Sequence, residues 1–210
     1  MIYIPLVSLC EKGDGRFYFE HMEWILASAS PRRKQLLAEL IPQFEILPAK
    51  GEERVPDGCS PRETVEFLAR QKAEEICALP NAKGKAVLGA DTVVAFGGEI
   101  LGKPVDKQDA VRMLRLLSGN THEVFTGVCI GIPNADGTHR FIVSSDCTPV
   151  RFFPLTEAYI TAYVESGSPM DKAGAYGIQD GGLVEAIDGS FSNVVGLPLE
   201  LLAKLLEDVK

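Results

Sequence analysis

The chain has 210 residues, of which 46% are hydrophobic and 24% are charged, a composition that indicates a globular protein and excludes a disordered or fibrous one. Its 21 basic and 29 acidic side chains give a net charge of -8, so the surface as a whole repels nucleic acids and other polyanions. A binding site for phosphate groups would therefore have to be a local cluster of basic residues.

The first part of the chain carries no recognisable export or membrane signal. The apolar run Ile2–Cys10 lacks a basic flank and a cleavage pattern, and it is too short to span a bilayer. The five cysteines are scattered, without the close pairs of a zinc site or a redox dithiol. These features favour a cytoplasmic protein with reduced thiols and no membrane partner. Residues 1–22 are expected to form an extension of the domain made by residues 23–210.

After the extension, short apolar runs alternate with amphipathic segments, which predicts an α/β fold in which helices flank a sheet. Trp24–Ala27 predicts a buried strand, and Ser30-Pro31 predicts the N-cap and the first residue of a helix. Ser60–Glu63 has the form of a capping box, so a second helix should begin there and reach about Leu79.

The middle of the chain is rich in β-forming residues. Ala86–Phe96 predicts a strand that turns at Gly97-Gly98 into a short return strand at Glu99–Leu101. Asp106–Leu117 predicts a capped helix with one apolar face.

The last third of the chain returns to strands and then ends in helices. Glu123–Ile132 and Arg140–Ser145 are typical of a hairpin, and Thr148–Phe153 predicts a separate strand. Thr156–Glu165 and Leu199–Leu206 predict two further helices.

A basic cluster lies where the first predicted helix begins. Its hydroxyls, Ser28 and Ser30, and its guanidinium groups, Arg32 and Arg33, gather at a helix N-terminus, which favours anions. Arginines in a first turn are electrostatically unfavourable unless an anion offsets them. The pattern fits an anion site, and it also fits a capped helix with two solvated arginines.

Three other stretches hold candidate ligand-binding groups. Lys72 is in phase with the apolar stripe of the second helix, so it either reaches the surface or points into a polar cleft. Lys103 follows the predicted return strand. The segment Gly167–Asn193 contains Lys172 and Gln179 and is rich in glycine. Such a composition is typical of a backbone that approaches a ligand or a neighbouring chain closely, and it is equally typical of a long surface loop.

Two acidic positions are candidates for chemistry. Asp91 interrupts an apolar strand. Because burying an unpaired carboxylate is unfavourable, the residue must lie in a turn, form a salt bridge, bind a metal or take part in catalysis. A functional role is favoured over a structural one. Glu53 lies in a loop beside Glu52, where ordinary surface acids are the alternative. The histidines lack metal-ligand spacing, and the sequence contains neither a P-loop nor a recognisable catalytic triad.

Six segments resemble, in order, the signature blocks of the Maf family of nucleoside triphosphate pyrophosphatases. They are Ser28–Arg33, Gly89–Val94, Leu101–Pro104, Thr126–Val128, Asp171–Gln179 and Asn193–Pro198. The resemblance covers nearly all of the chain from Trp24 onwards. It implies an elongated mixed sheet flanked by helices, with a central cleft, as in the inosine triphosphate pyrophosphatases.

The resemblance also implies cleavage of a nucleoside triphosphate between its α- and β-phosphates, giving a monophosphate and pyrophosphate. Asp91 matches the family's proton acceptor and Glu53 its accompanying acid, and the two are candidate ligands for Mg²⁺ or Mn²⁺. Arg33, Lys72 and Lys103 match its phosphate-binding cations.

Arg32, Thr92 and Gln179 match the three positions that separate the subfamilies, and their combination is similar to the dTTP/UTP branch rather than the 7-methyl-GTP branch. The amide of Gln179 offers a donor and an acceptor to a pyrimidine edge. The family also suggests a homodimer. The main alternative is a non-catalytic, nucleotide-binding regulator of septum formation, which the intact acidic and basic positions disfavour. A third hypothesis is a phosphatase that removes the terminal phosphate of the nucleotide.

Overall fold

The computed structural model describes residues 22–207, so the predicted extension lies outside the described residues except for Met22. The strands are β1 (Trp24–Leu26), β2 (Glu45–Ile46), β3 (Ala86–Phe96), β4 (Glu99–Leu101), β5 (Thr121–Pro133), β6 (His139–Phe152) and β7 (Val184–Ile187). They form one mixed sheet in the order β2-β1-β3-β5-β6-β7, with β4 paired to β3. β1 is parallel to β2 and β3, and the remaining pairs are antiparallel.

Helices flank this sheet, and side chains cap several of them. The α-helices are α1 (Pro31–Leu40), α2 (Pro61–Cys77), α3 (Lys107–Leu117), α4 (Glu157–Glu165), α5 (Phe191–Val195) and α6 (Leu199–Glu207). Ser60 and Glu63 form the predicted capping box of α2, with each side chain bonded to the other's backbone N–H. The predicted α/β fold, a mixed sheet flanked by helices, is therefore confirmed.

Helix α2 lies directly on β3 and β5 because two strand positions are glycine. A Cβ on Gly127 would lie 2.3 Å from the carbonyl oxygen of Val65, and one on Gly89 would lie 2.2 Å from that of Ala69. Any side chain there would push the helix off the sheet. The close approach fixes the height of α2 above β3 and therefore the position of the side chains between them.

Two hydrophobic clusters lie on different parts of the sheet. The first joins β1 and α1 to α6, and it includes Trp24, Leu26, Leu37, Leu88, Leu197 and Leu202. The second joins β4 and β6 to α3 and α4, and it includes Leu101, Leu114, Leu117, Phe152, Ile160 and Leu183. Each cluster anchors elements that contribute side chains to one cleft.

The main error of the sequence interpretation concerns β6. Arg140–Ser145 and Thr148–Phe153 were predicted as separate strands, whereas His139–Phe152 is one strand of 14 residues. Asp146 lies opposite Thr126 in an unbroken ladder with β5, so the polar residues before Thr148 do not interrupt the pairing. The short elements β2, β7 and α5 were not predicted.

Within residues 22–207 the four cysteines are free thiols: Cys59, Cys77, Cys129 and Cys147. Burial raises the pKa of Cys77 and of Cys129 to about 12, so both thiols stay protonated at neutral pH. None of the helices in this range is long and apolar enough to cross a bilayer.

Candidate active site

A cleft of about 610 Å³ gathers the candidate residues from distant parts of the chain. Eleven predicted site residues line it: Ser28, Ser30, Arg32, Arg33, Glu53, Lys72, Asp91, Thr92, Lys103, Lys172 and Gln179. They come from the start of α1 and the residues just before it, from the loop between β2 and α2, from α2, from β3, from the loop after β4 and from the glycine-rich segment before β7. The geometry therefore brings all of them to one cavity, and their individual roles stay predictions.

Two carboxylates in the cleft share one ammonium group. The Nζ atom of Lys72 lies 2.5 Å from Oδ1 of Asp91 and 2.8 Å from Oε1 of Glu53. Asp91 is only 9% exposed, so this ion pair explains how the strand accommodates its charge. Burial acts to raise the pKa of Glu53, but its hydrogen bond and charge interaction with Lys72, helped by Lys103 and Arg33, outweigh burial and lower it.

Arg33 is held by three neutral oxygen atoms. Its Nε donates to the carbonyl of Gly196 at 2.9 Å, Nη2 donates to Oγ1 of Thr92 at 3.0 Å, and Nη1 donates to Oγ of Ser28 at 3.3 Å. Burial lowers the pKa of Arg33, with Asp91 acting in the opposite direction, yet a guanidinium stays charged at any physiological pH. A fixed cation whose hydrogen-bond partners are neutral favours an anion in the adjacent cleft.

The two serines predicted to bind the ligand also organise the start of α1. Oγ of Ser30 accepts the backbone N–H of Arg33 at 3.4 Å, which is the predicted N-cap bond. Oγ of Ser28 accepts the N–H of Ser30 at 3.2 Å. Both hydroxyls therefore keep the helix N-terminus and Arg33 in one arrangement.

A chain of hydrogen-bonded hydroxyl groups connects Arg33 to the backbone of Asn193. Oγ1 of Thr92 lies 2.9 Å from Oγ1 of Thr126, which in turn donates to the carbonyl of Asn193 at 2.9 Å. Because that proton of Thr126 is used, Thr92 donates to Thr126 and accepts from Arg33. The sequence analysis assigned no role to Thr126, although this residue begins one of the six segments that resemble the Maf signature blocks.

At the edge of the cleft, Arg32 forms an ion pair with Asp171 of the glycine-rich segment. Its Nη1 lies 3.2 Å from Oδ2 of Asp171, whose other oxygen accepts from Nζ of Lys172 at 2.8 Å. Nζ of Lys172 also donates to the carbonyl of Ser168 at 2.5 Å, so loop oxygens already surround this ammonium group. The sequence interpretation missed Asp171, which is the first residue of the segment that supplies Lys172 and Gln179.

Two polar groups of the cleft form no hydrogen bond or ion pair within the described chain, although the charge of Lys103 acts on Glu53. Within residues 22–207, neither the ammonium of Lys103 nor the side-chain amide of Gln179 makes a hydrogen bond or an ion pair. Both side chains line the cavity. They are therefore available to a ligand without breaking an existing contact.

The acidic pair suits a cation that is shared with a substrate. Among residues 22–207 there is no group of three or more His, Cys, Asp or Glu side chains that could hold a metal by itself. Mg²⁺ commonly binds through one or two carboxylates, with substrate phosphates and waters as its other ligands. Asp91 and Glu53 could supply such a donor set, and the cavity that they line also contains the basic side chains of Arg33, Lys72 and Lys103.

Comparison with known proteins agrees with these features. The sequence profile of a family described as Maf-like protein matches residues 23–209. The chain belongs to the Maf family. The resemblance noted from its six segments is thereby confirmed.

Two curated relatives of this Maf chain share one name. A protein of Anaeromyxobacter dehalogenans, 51% identical over 184 residues, covers 87% of this chain and 91% of its own length. A protein of Thermococcus gammatolerans, 47% identical over 187 residues, covers 87% and 95%. Both are named dTTP/UTP pyrophosphatase. Among solved structures, the Ham1 protein of Staphylococcus aureus has a TM-score of 0.48 and 15% identity, covering 90% of this chain and 100% of its own.

Proposed function

We propose that this chain is a nucleoside triphosphate pyrophosphatase that hydrolyses dTTP and UTP to the monophosphate and pyrophosphate. The observation that carries the proposal is the shared ion pair of Lys72 with Asp91 and Glu53, beside the fixed charge of Arg33 in one cleft. This arrangement places groups able to activate water next to groups able to hold phosphates. The names of the relatives at 47% and 51% identity support the same activity.

The three cations hold the polyphosphate and stabilise the leaving group. Negative charge builds up on the departing pyrophosphate as the bond between the α-phosphorus and the bridging oxygen breaks. Lys103 makes no hydrogen bond or ion pair among residues 22–207 that it would have to break, and Arg33 is already oriented by neutral oxygens. Lys72 transfers part of its interaction from the carboxylates to a phosphate oxygen when the triphosphate binds.

Asp91 accepts the proton of the attacking water. The water oxygen forms a bond to the α-phosphorus, its proton passes to a carboxylate oxygen of Asp91, and pyrophosphate leaves with the electron pair of the broken bond. The ion pair with Lys72 orients the carboxylate of Asp91 within the cleft before the substrate arrives. Glu53 faces the same ammonium group and stays ionised because its pKa is lowered.

Asp91 and Glu53 would also hold a divalent cation, Mg²⁺ or Mn²⁺, together with the substrate phosphates. A cation held there supplies positive charge that favours loss of a proton from water. Without that help, an ordinary carboxylate is a weak base at neutral pH.

Base selection is assigned to Gln179, with Arg32 and Thr92 shaping the same cavity. The free amide of Gln179 has both a donor and an acceptor for a pyrimidine edge. A site built on such hydrogen bonds disfavours a base that leaves them unpaired.

The test is a pyrophosphate-release assay with Mg²⁺ and a panel of dTTP, UTP, CTP, ATP and GTP. We expect dTTP and UTP to give the highest kcat/KM, with monophosphate and pyrophosphate as the products. Asp91→Asn should lower kcat by at least about 100-fold, the usual scale for removing a general base. Asp188→Asn, at an exposed position outside the cleft, is the matched control and should retain the parent rate. A parent rate in Asp91→Asn, a purine preference, or release of orthophosphate would contradict the proposal.

A further inference from the structure

The hydroxyl group of Tyr163, on helix α4, bonds to both ends of the turn that carries Gln179. The phenol of Tyr163 donates to Oδ2 of Asp180 at 2.6 Å and accepts the backbone N–H of Gly177 at 3.1 Å. These two partners lie on either side of Gln179 in the sequence. One tyrosine on α4 therefore holds both ends of the turn 177–180.

Other contacts make this anchor stiff. Oδ2 of Asp180 also accepts from the hydroxyl of Ser168 at 2.7 Å, and the N–H of Asp180 donates to the carbonyl of Gly177 at 3.0 Å. The neighbouring ammonium of Lys172 lies 3.9 Å from the same carboxylate. Burial and the hydrogen bond to Asp180 raise the pKa of Tyr163, so its phenol keeps the proton that it donates.

The anchor matters because, within residues 22–207, no hydrogen bond holds the Gln179 amide itself, so its position depends on the turn that carries it. The backbone of the turn fixes the Cα of Gln179 and therefore the region of the cleft that the amide can reach. The side chains of Gln179 and Lys172 both pack on Gly177, since a Cβ there would lie 2.7 Å from Nε2 of Gln179 and from Cε of Lys172. A small displacement of the turn would therefore move the amide relative to a bound base.

We propose that Tyr163 is a positioning residue for base selection: by holding Gly177 and Asp180, it presents the amide of Gln179 to the pyrimidine edge of the nucleotide. This inference rests on the proposed function, because it requires that the cleft bind a pyrimidine triphosphate. Tyr163 itself lies on α4 and is not among the residues that line the cleft, so it acts through the turn and does not touch the substrate.

The first experiment compares two tyrosines of one helix. Tyr159 stacks on Tyr163 with ring centroids 6.2 Å apart, and its phenol donates to the carbonyl of Gly181, just beyond the turn. Tyr163→Phe should raise KM for UTP and lower the ratio of kcat/KM for UTP to that for GTP by about tenfold each, with kcat changed less than about twofold. Tyr159→Phe, the matched control, should keep the parent ratio.

The second experiment asks whether Tyr163 acts through Gln179. In a double-mutant cycle, Tyr163→Phe should have no further effect on the UTP-to-GTP ratio once Gln179→Ala is present. A general structural role would lower turnover of both nucleotides, and it would persist in the Gln179→Ala background. Circular dichroism and thermal melting of each variant show that the protein remains folded.

The outcomes separate this inference from the proposed function. A parent enzyme that prefers UTP, with an unchanged ratio in folded Tyr163→Phe, overturns the positioning role alone. An effect of Tyr163→Phe that survives in Gln179→Ala overturns it as well. A parent enzyme that does not prefer UTP overturns both proposals.

Discussion

The ammonium nitrogen of Lys72 lies 2.5 Å from Oδ1 of Asp91, although the first residue belongs to helix α2 and the second to strand β3. The contact exists because Gly89 and Gly127 let α2 lie directly on the sheet. Glu53 reaches the same ammonium group from a loop. A packing feature of the fold thus sets the electrostatics of the cleft, and each part of that relationship can be tested by substitution.

Replacing Lys72 with methionine should separate its two interactions, with the carboxylates and with phosphate. Lys72→Met should lower kcat/KM for UTP by about 100-fold, because one charged partner of the transition state is lost. It should also tighten binding of Mn²⁺ in the absence of nucleotide, because the ammonium no longer neutralises Asp91 and Glu53. Electron paramagnetic resonance of free Mn²⁺ measures that affinity.

The matched control for this substitution is Lys107→Met. Lys107 pairs with Glu165 at 2.7 Å on the surface, and neither residue lines the cleft. Its loss should leave turnover and Mn²⁺ binding at parent values, because exposed ion pairs contribute little. Weaker Mn²⁺ binding in Lys72→Met would contradict the competition between the ammonium and the metal.

Arg33→Lys tests whether the cleft needs a guanidinium or only a positive charge. The three oxygens around Arg33 fit a planar fork, and a lysine ammonium cannot reach all of them in that geometry. We expect KM for the triphosphate to rise by about tenfold or more, which steady-state kinetics would detect. Arg115→Lys, in an exposed pair with Glu157, should behave like the parent. Unchanged kinetics in Arg33→Lys would show that charge alone is sufficient.

Gly127→Ala tests the contact between α2 and the sheet. The new Cβ would lie 2.3 Å from the carbonyl oxygen of Val65, so the helix must shift. We expect the free energy of unfolding in urea to fall by about 2 kcal/mol or more, the scale of overpacking in a close-packed interior. Gly102→Ala has open space around the new Cβ and should cost much less. Equal losses in the two variants would show that the close approach is not what stabilises this packing.

Local sequence patterns correctly predicted those structural features that depend on a single short segment. The capping box at Ser60 and Glu63 depends only on neighbouring backbone groups, and the structure reproduces it. Helical periodicity, which is also local, showed that Lys72 is in phase with the apolar stripe of α2, but it left open whether the ammonium group reaches the surface or a polar cleft. That its partner would be Asp91, on the next strand, required the tertiary packing of α2 on β3.

The features that were missed depend on contacts between segments distant in the sequence. Arg32 meets Asp171 across 139 positions, and no local signal indicates such a pair. The polar residues near Asp146 resemble a break between strands, but side chains on β6 are only partly buried there, so polarity is tolerated while the ladder to Thr126 continues. In the sequence, Tyr163 is indistinguishable from the other aromatic residues of its helix, because its contact with Asp180 exists only in the folded chain.

A buried histidine should make stability depend on pH. His122 is 1% exposed, with rings of Phe152 and Tyr176 packed edge-on against it, and its Nε2 lies 2.8 Å from the phenol oxygen of Tyr176. Burial lowers its pKa from 6.5 to about 4. Since the unfolded chain then binds more protons than the folded one between these values, stability is fully present above pH 6.5 and is lost as the pH falls towards 4.

The loss assigned to this histidine amounts to about 3 kcal/mol at most. Urea unfolding of the parent and of His122→Phe, measured between pH 7.5 and pH 4.5, isolates it, because the carboxylates titrate in both proteins and cancel in the difference. We expect the parent to lose stability more steeply than the variant below pH 6.5, whatever their difference at pH 7.5. His122→Gln provides a second, polar replacement if the phenylalanine variant folds poorly. Parallel pH profiles for parent and variants would mean that His122 takes up its proton in the folded state as readily as in the unfolded chain.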